Sequence, residues 1–168
     1  MSKPATTGTS SLARGLQIER RPWHEPDWQR LWLATQLKEK TWRSLALVPA
    51  GRGLPARFIE KSAVSLSRTG MTHLGQSIHV ADATRVQLPD LNEFFAELAH
   101  CTSNGVDRVV IALAPVSENV TSVSIVQQCD CALLCVMRGL TDASEAKRTV
   151  QAIGTKHFIG SVMFDGLL

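Results

Sequence analysis

A turn with two glycines follows a short apolar run, as it does in a phosphate-binding loop. Residues 47–58 have the sequence LVPAGRGLPARF, in which Gly51 and Gly53 supply the turn. Such a loop needs a lysine that reaches the phosphates and a hydroxyl residue that binds magnesium. This chain has three other residues at those positions, in order Leu54, Pro55 and Ala56. Two glycines alone also fit an ordinary strand-turn-helix, so the rest of the chain must decide.

The other side chains that could do chemistry form no recognisable site. The four cysteines lack a second cluster or histidines at metal-ligand spacing, and three of them, Cys129, Cys131 and Cys135, would share one face of a buried strand. The five histidines are scattered along the chain, and no Ser-His-Asp arrangement is visible. The sequence therefore predicts no catalytic residue, no metal site and no cofactor.

The composition is that of an ordinary globular domain. The chain has 168 residues, 44% of them hydrophobic and 20% charged, and a net charge of +3 that is too small to indicate nucleic-acid binding. It contains no apolar run of about 18 residues and no signal-peptide pattern. We expect a cytoplasmic protein with a disordered lead at residues 1–22 and a single domain at residues 23–168.

Apolar runs alternate with helical patterns after residue 40. This order predicts an α/β fold with a mainly parallel five-stranded sheet covered by helices on both faces. Ligands of such sheets bind beyond the carboxyl ends of the strands, where the glycine turn and Asp82 both fall. One helix should start at residue 56 and stop at Gly70. The predicted strands are residues 43–48, 76–82, 107–115, 131–137 and 157–164.

Residues 25–40 form an amphipathic pattern rich in tryptophan. Its apolar positions recur at helical spacing and are Trp28, Leu31, Trp32 and Thr35. Packing on the domain's own core is the simpler interpretation of this stripe. Contact with another subunit is the alternative, because tryptophan and arginine are favoured at the centres of interfaces.

Together these segments resemble the MinD/ParA branch of P-loop proteins, and more closely the cytoplasmic domain of bacterial tyrosine kinases of exopolysaccharide and capsule synthesis. The resemblance runs from about Asp27 to Phe164. It rests on five segments: DWQR, SLALVPAGRGLPARF, IHVADATR, DRVVIALAPV and CDCALLCVMRGLTDASEAKRTVQAIG. It implies a P-loop NTPase-like fold with strand order 2-3-1-4-5. It also implies a vestigial nucleotide site at Gly51, Arg52, Gly53 and Asp82, and a subunit interface at Asp27, Trp28, Arg30 and Trp32.

The chain keeps Asp82 but departs from the family at the lysine, hydroxyl and metal-binding positions. Besides the lost lysine and hydroxyls, Thr84 replaces the second aspartate of one motif, and Ala112 replaces the metal-binding aspartate of the third strand. Leu33 replaces the second arginine of the interface motif. The chain also has no tyrosine, whereas the kinases phosphorylate a tyrosine cluster of their own. Phosphoryl transfer needs the cation clamp and magnesium, so the resemblance implies a degenerate member.

Three functions follow from these departures. The first is a non-catalytic pseudokinase or pseudo-ATPase that regulates or scaffolds exopolysaccharide synthesis or export. Its partner would be the cytoplasmic tail of a membrane polysaccharide chain-length protein or an active homologue, and a homo-oligomer is also expected. The second is a MinD/ParA-like positioning protein. The third is an enzyme, a residual tyrosine-kinase-like ATPase that still binds a nucleotide through Arg52 and Arg57, since arginines can hold phosphate with paired hydrogen bonds.

Overall fold

The computed structural model describes residues 26–38 and 41–165. The predicted lead at residues 1–22 and the domain boundary at residue 23 lie outside the described residues. The helices are α1 (Pro26–Lys38), α2 (Ala56–Leu74), α3 (Leu91–Thr102), α4 (Thr121–Gln128) and α5 (Ala143–Ile153). The strands are β1 (Ser44–Pro49), β2 (Ile78–Asp82), β3 (Arg108–Ala112), β4 (Cys131–Met137) and β5 (Phe158–Phe164).

The five strands form one parallel sheet in the order β2-β3-β1-β4-β5. Strand β1 lies at the centre, and its residue Ala46 is paired with Ile111 of β3 on one side and Ala132 of β4 on the other. The predicted fold class and strand order are confirmed. The turn that follows β1 therefore lies in the middle of the carboxyl edge of the sheet.

Helices cover both faces of the sheet because side chains of β1 alternate between two cores. Leu45 and Leu47 point into a core that α1 and α2 complete, whereas Ala46 and Val48 point into a second core beneath α3, α4 and α5. All four of these side chains are at most 2% exposed. Strands buried on both faces explain the continuous apolar runs in the sequence.

Helix α2 is longer than the sequence predicted. It continues through Gly70 to Leu74 and ends at Gly75, which has a φ of 65° and whose amide donates to the carbonyl of Met71. The prediction that Gly70 stops the helix is wrong. Gly70 lies inside the helix because the ring of Trp32 packs on it so closely that a Cβ would collide with the indole and with Ile78.

The cysteines are structural but do not all lie on one face. Cys131 and Cys135 belong to the core beneath α1 and α2, as small buried residues of β4. Cys129 lies before the strand, at the end of α4, and packs in the opposite core. The prediction that Cys129 shares a face with the other two is wrong, because the strand begins only at Cys131.

Candidate functional site

The glycine loop, defined as residues 50–55, joins the central strand β1 to helix α2. The amide of Ala50 donates to the carbonyl of Cys135 at 2.8 Å, which continues the β1–β4 pairing into the loop. The carbonyl of Ala50 accepts a hydrogen bond from the buried hydroxyl of Thr149 at 3.0 Å. The start of the loop is thus fixed by both β4 and α5.

The two loop glycines are needed for close packing and not for a left-handed backbone. Neither Gly51 nor Gly53 has a positive φ. A Cβ on Gly51 would collide with the side chain of Glu145, and one on Gly53 would lie 3.0 Å from the backbone oxygen of Leu140. The connection from β4 to α5 therefore packs directly on the loop, in contacts that no motif in the sequence predicted.

The end of the loop carries no group that could bind phosphate or magnesium through its side chain. Leu54 is 2% exposed and belongs to the core beneath α1 and α2, so its side chain points into the protein. Pro55 caps α2, and its carbonyl accepts hydrogen bonds from the amides of Phe58 and Ile59. Proline itself has no amide hydrogen to offer an anion. Leu54 and Pro55 thus contribute core packing and the start of α2.

Of the carboxylate positions that the resemblance implies, Asp82 is present, whereas residues 84 and 112 are threonine and alanine. Ala112, in place of the aspartate, is fully buried at the end of β3. Asp82 ends β2, and β3 separates that strand from β1 and the glycine loop. One carboxylate oxygen of Asp82 accepts hydrogen bonds from the amide and hydroxyl of Thr84, at 3.0 and 2.6 Å. The structure thus groups Gly51, Arg52 and Gly53 in one loop and places Asp82 two strands away.

The two arginines near the loop do not share a partner. Arg52 is exposed on the loop, and Arg57 is exposed in the first turn of α2. Within residues 26–38 and 41–165, neither of them takes part in an ion pair. Arg57 lines a groove beside Trp28, and the phosphate fork formed by the two arginines stays a prediction.

The predicted interface residues divide between the surface and the core. Asp27 and Arg30 are exposed and lie 3.7 Å apart on α1. Trp28 is half-buried, with its ring 6.3 Å from the ring of Phe164. Trp32 is 1% exposed and packs edge-on against Trp42, at 5.6 Å between ring centroids. The core interpretation accounts for Trp32, and an interface role for the other three stays a prediction.

Two grooves of opposite charge flank Trp28. The groove between α1 and α2, which we call the basic groove, has a volume of about 390 Å³ and carries Arg57 and Lys61. The groove between α1 and β5, the acidic groove, has a volume of about 520 Å³ and carries Asp27 and Asp165, whose carboxylates pair with Arg30 and Arg138. Sequence reasoning missed both grooves because one depends on how α1 packs against α2 and the other on how α1 packs against β5, which residue spacing does not reveal.

Other functional groups do not assemble into a site. In the part of the chain that the structure describes, no three His, Cys, Asp or Glu side chains lie close enough to hold a metal ion. No helix of that part is long and apolar enough to cross a bilayer. His79 lies 3.5 Å from Asp107 and beside a cavity of about 320 Å³ that Cys101 also lines, but no nucleophile-base contact is formed there.

The fold is similar to that of a solved structure, the BceF tyrosine kinase domain. The TM-score is 0.62 at 18% sequence identity, over 84% of this chain and 76% of that chain. At this level of identity the similarity shows a shared fold. The sequence matches no protein-family model and no curated protein. The resemblance to tyrosine kinase domains is therefore confirmed at the level of fold, and the MinD/ParA resemblance stays a prediction.

Proposed function

We propose that this protein is a non-catalytic pseudokinase or pseudo-ATPase that regulates or scaffolds bacterial exopolysaccharide synthesis or export. The observation that carries the proposal is the burial of Leu54 in the core, at the position where a kinase would hold phosphate with lysine. The buried Ala112 supports it from the neighbouring strand. Positioning and charge stabilisation provide nearly all of phosphoryl-transfer catalysis, so a site without its cations has little left to contribute.

The proposed activity is binding of a protein partner at the grooves beside Trp28. A half-buried tryptophan between apolar walls is the kind of anchor on which interface energy concentrates. The grooves place the basic side chains of Arg57 and Lys61 on one side of this anchor and acidic side chains on the other. A partner segment of mixed charge fits this arrangement. We propose the cytoplasmic tail of a membrane polysaccharide chain-length protein, which would hold this protein at the inner face of the membrane.

Calorimetric titration with ATP, with and without magnesium, tests the loss of nucleotide chemistry. We expect no magnesium-dependent binding, because Leu54, Pro55, Ala56 and Ala112 stand where the resemblance implies a lysine, two hydroxyls and a carboxylate. Micromolar binding that requires magnesium would contradict the proposal. Weak binding that is independent of magnesium and is abolished by Arg52→Ala would favour the residual nucleotide-binding function instead.

Titration of a synthetic tail peptide tests the partner separately. We expect Trp28→Ala to abolish peptide binding and Gln29→Ala, an exposed neighbour on the same helix, to leave it unchanged. Truncation of an anchoring tryptophan typically costs about 2 kcal/mol or more. Equal binding by the two variants would refute the grooves as the docking site, while the nucleotide result would stand.

A further inference from the structure

Strand β2 forms one edge of the sheet, and no strand of the described residues lies on its outer side. Successive residues of a strand turn their amides and carbonyls to opposite sides. The carbonyl of Ser77 accepts a hydrogen bond from the amide of Arg108 on β3. The amide of Ala83 donates to the carbonyl of Ala112 on the same strand. The backbone groups of odd-numbered residues therefore face β3, and those of Val80 point away from the sheet.

Helix α2 covers the start of this edge, and the middle is open. The hydroxyl of Ser67 on α2 donates to the carbonyl of Ile78 at 2.7 Å, which satisfies that outward group. Val80, the middle residue of β2, is 40% exposed. An edge strand with outward backbone groups and an exposed apolar residue is a template for a further strand.

A groove runs along the open edge, between β2 and α3. It has a volume of about 320 Å³, and residues 79–82 of β2 line one wall. The other wall is a single face of α3, because its lining residues follow the spacing i, i+3, i+4, i+7. These residues are Phe94, Glu97, Leu98 and Cys101. We call this space the edge groove, and it combines an open strand with the side of a helix.

Glu97 supplies the charge that the edge groove offers to a partner. Its side chain is exposed and joins none of the ion pairs in the part of the chain that the structure describes. His79, by contrast, already lies 3.5 Å from Asp107. Phe94 and Leu98 are half-buried on the same face of α3 and provide apolar contacts.

The pleat of a strand determines which residues of a partner would meet this face. Alternate side chains of an added strand turn toward α3, whereas the intervening ones turn away. One apolar side chain can then pack on Phe94 and Leu98, and a lysine or arginine two residues along can reach Glu97. The edge groove thus fits an extended segment in which an apolar and a basic residue are two positions apart.

We propose that the edge groove binds such a segment of a partner protein, which adds a strand to β2. Main-chain hydrogen bonds to Val80 supply affinity, and the face of α3 selects the side chains. The whole chain has a net charge of +3, so its overall charge favours acidic segments, and the preference for a basic one is local to Glu97. The edge groove includes neither the glycine loop nor Trp28, so this contact does not depend on the function proposed above.

Fluorescence anisotropy of the full chain with a labelled peptide, Thr-Val-Thr-Lys-Thr-Val-Thr, tests strand addition. We expect saturable binding in the micromolar range. The peptide with glutamate in place of lysine should bind at least tenfold more weakly, as should a peptide with N-methylated backbone amides, which lacks the main-chain donors but keeps every side chain. No binding, or equal binding of the three peptides, would overturn the proposal.

A charge reversal tests the role of Glu97. Glu97→Lys should reverse the preference, so that the glutamate peptide binds more tightly than the lysine peptide. Glu93→Lys is the matched control, since Glu93 is exposed in the first turn of the same helix and lies outside the edge groove. It should leave both affinities unchanged. Equal effects of the two variants would refute the selection of a basic residue by Glu97.

Val80→Pro tests the strand edge itself. Proline removes the outward amide in the middle of β2 and is tolerated on edge strands, so the variant should fold but lose peptide binding. Circular dichroism checks the fold, and the N-methylated peptide remains a test that leaves the protein unchanged. A folded Val80→Pro variant that binds the lysine peptide normally would refute strand addition. Dimerisation of the wild type that this substitution abolishes would assign the edge to a second copy and overturn the proposal.

Discussion

The indole of Trp32 packs on Gly70, in the interior of helix α2. A Cβ at position 70 would overlap the six-membered ring of Trp32, and the same indole packs edge-on against Trp42. The tryptophan that sequence reasoning placed at a subunit contact is therefore what holds α1 against α2. Glycine is the only residue type without a Cβ, so the close approach of α1 and α2 requires glycine at position 70.

Gly70→Ala should lower the free energy of unfolding by roughly 1–2 kcal/mol. Alanine favours a helix over glycine by about 1 kcal/mol, but overpacking a rigid core typically costs 1–3 kcal/mol or more. Urea denaturation measures the difference. Gly160→Ala is the control, because no atom lies within 4 Å of its added Cβ, and it should change stability by no more than about 0.5 kcal/mol. A stabilised Gly70→Ala variant would show that the Trp32 contact is not tight.

Leu54→Lys should destabilise the domain and fail to restore nucleotide binding. The substitution places an ammonium group where the structure buries an apolar side chain, at a cost of about 3 kcal/mol. Leu140→Lys changes an exposed leucine on the neighbouring connection and should be close to neutral. Chemical denaturation and ATP titration of both variants provide the measurements. Unchanged stability of Leu54→Lys, with magnesium-dependent ATP binding, would contradict both the burial and the proposed function.

The strand order could be predicted because the apolar runs and the family resemblance agree, and the three inner strands β3, β1 and β4 are mostly buried. The carboxyl end of α2 could not be predicted from the sequence, since Gly70 and Gly75 look equally able to end a helix. Only the tertiary contact with Trp32 distinguishes the first glycine, and only the positive φ identifies the second. Tertiary packing therefore keeps Gly70 inside α2, whereas a left-handed backbone conformation ends the helix at Gly75.

The sequence predicted which phosphate-binding side chains the candidate site lacks. It did not predict the packing contacts that the residues at those positions make instead. The sequence shows that Leu54 cannot bind phosphate, yet it does not show that the side chain is part of the core. Position 51 requires glycine because a Cβ there would collide with the side chain of Glu145, which lies almost a hundred residues further along the chain. Such contacts depend on how β4 and α5 return to the loop, and residue spacing carries no signal for them.

Asp130 lies at the amino end of the central strands, opposite to the glycine loop. One oxygen of its carboxylate accepts hydrogen bonds from the amides of Arg43 and Ser44 at 2.6 and 2.9 Å, and the Asp130 amide donates to the Ser44 hydroxyl at 3.0 Å. Asp130→Ala should therefore cost about 1–2 kcal/mol of stability. Asp107→Ala is a control at the start of the neighbouring β3 and should cost less in the same denaturation experiment. Equal effects would refute a special role of Asp130.

The cysteines should differ sharply in reactivity. Burial raises the pKa of the Cys129 and Cys135 thiols to about 12, so at pH 8 they are almost wholly protonated and inert. Cys131 is 1% exposed, whereas Cys101 is partly exposed. Iodoacetamide at pH 8 should add one group to the native chain, at Cys101, and four in denaturant. Intact-mass spectrometry counts the adducts, and two or more on the native protein would contradict the described packing.

Asp142 should make the stability of α5 depend on acid pH. Its carboxylate accepts hydrogen bonds from the amide and hydroxyl of Ser144, at 2.9 and 3.0 Å, and these bonds lower the pKa of Asp142 below its usual value of 3.8. A carboxyl group with a lowered pKa stabilises the fold above its unfolded pKa, and this contribution is lost as the pH falls through the folded pKa. Asp142→Ala should thus lower the melting temperature at pH 7, and the gap from wild type should shrink below pH 4. Asp142→Asn retains a helix-capping group and should lose less at pH 7. A gap that stays constant from pH 7 to pH 3 would show that the charged cap does not stabilise α5.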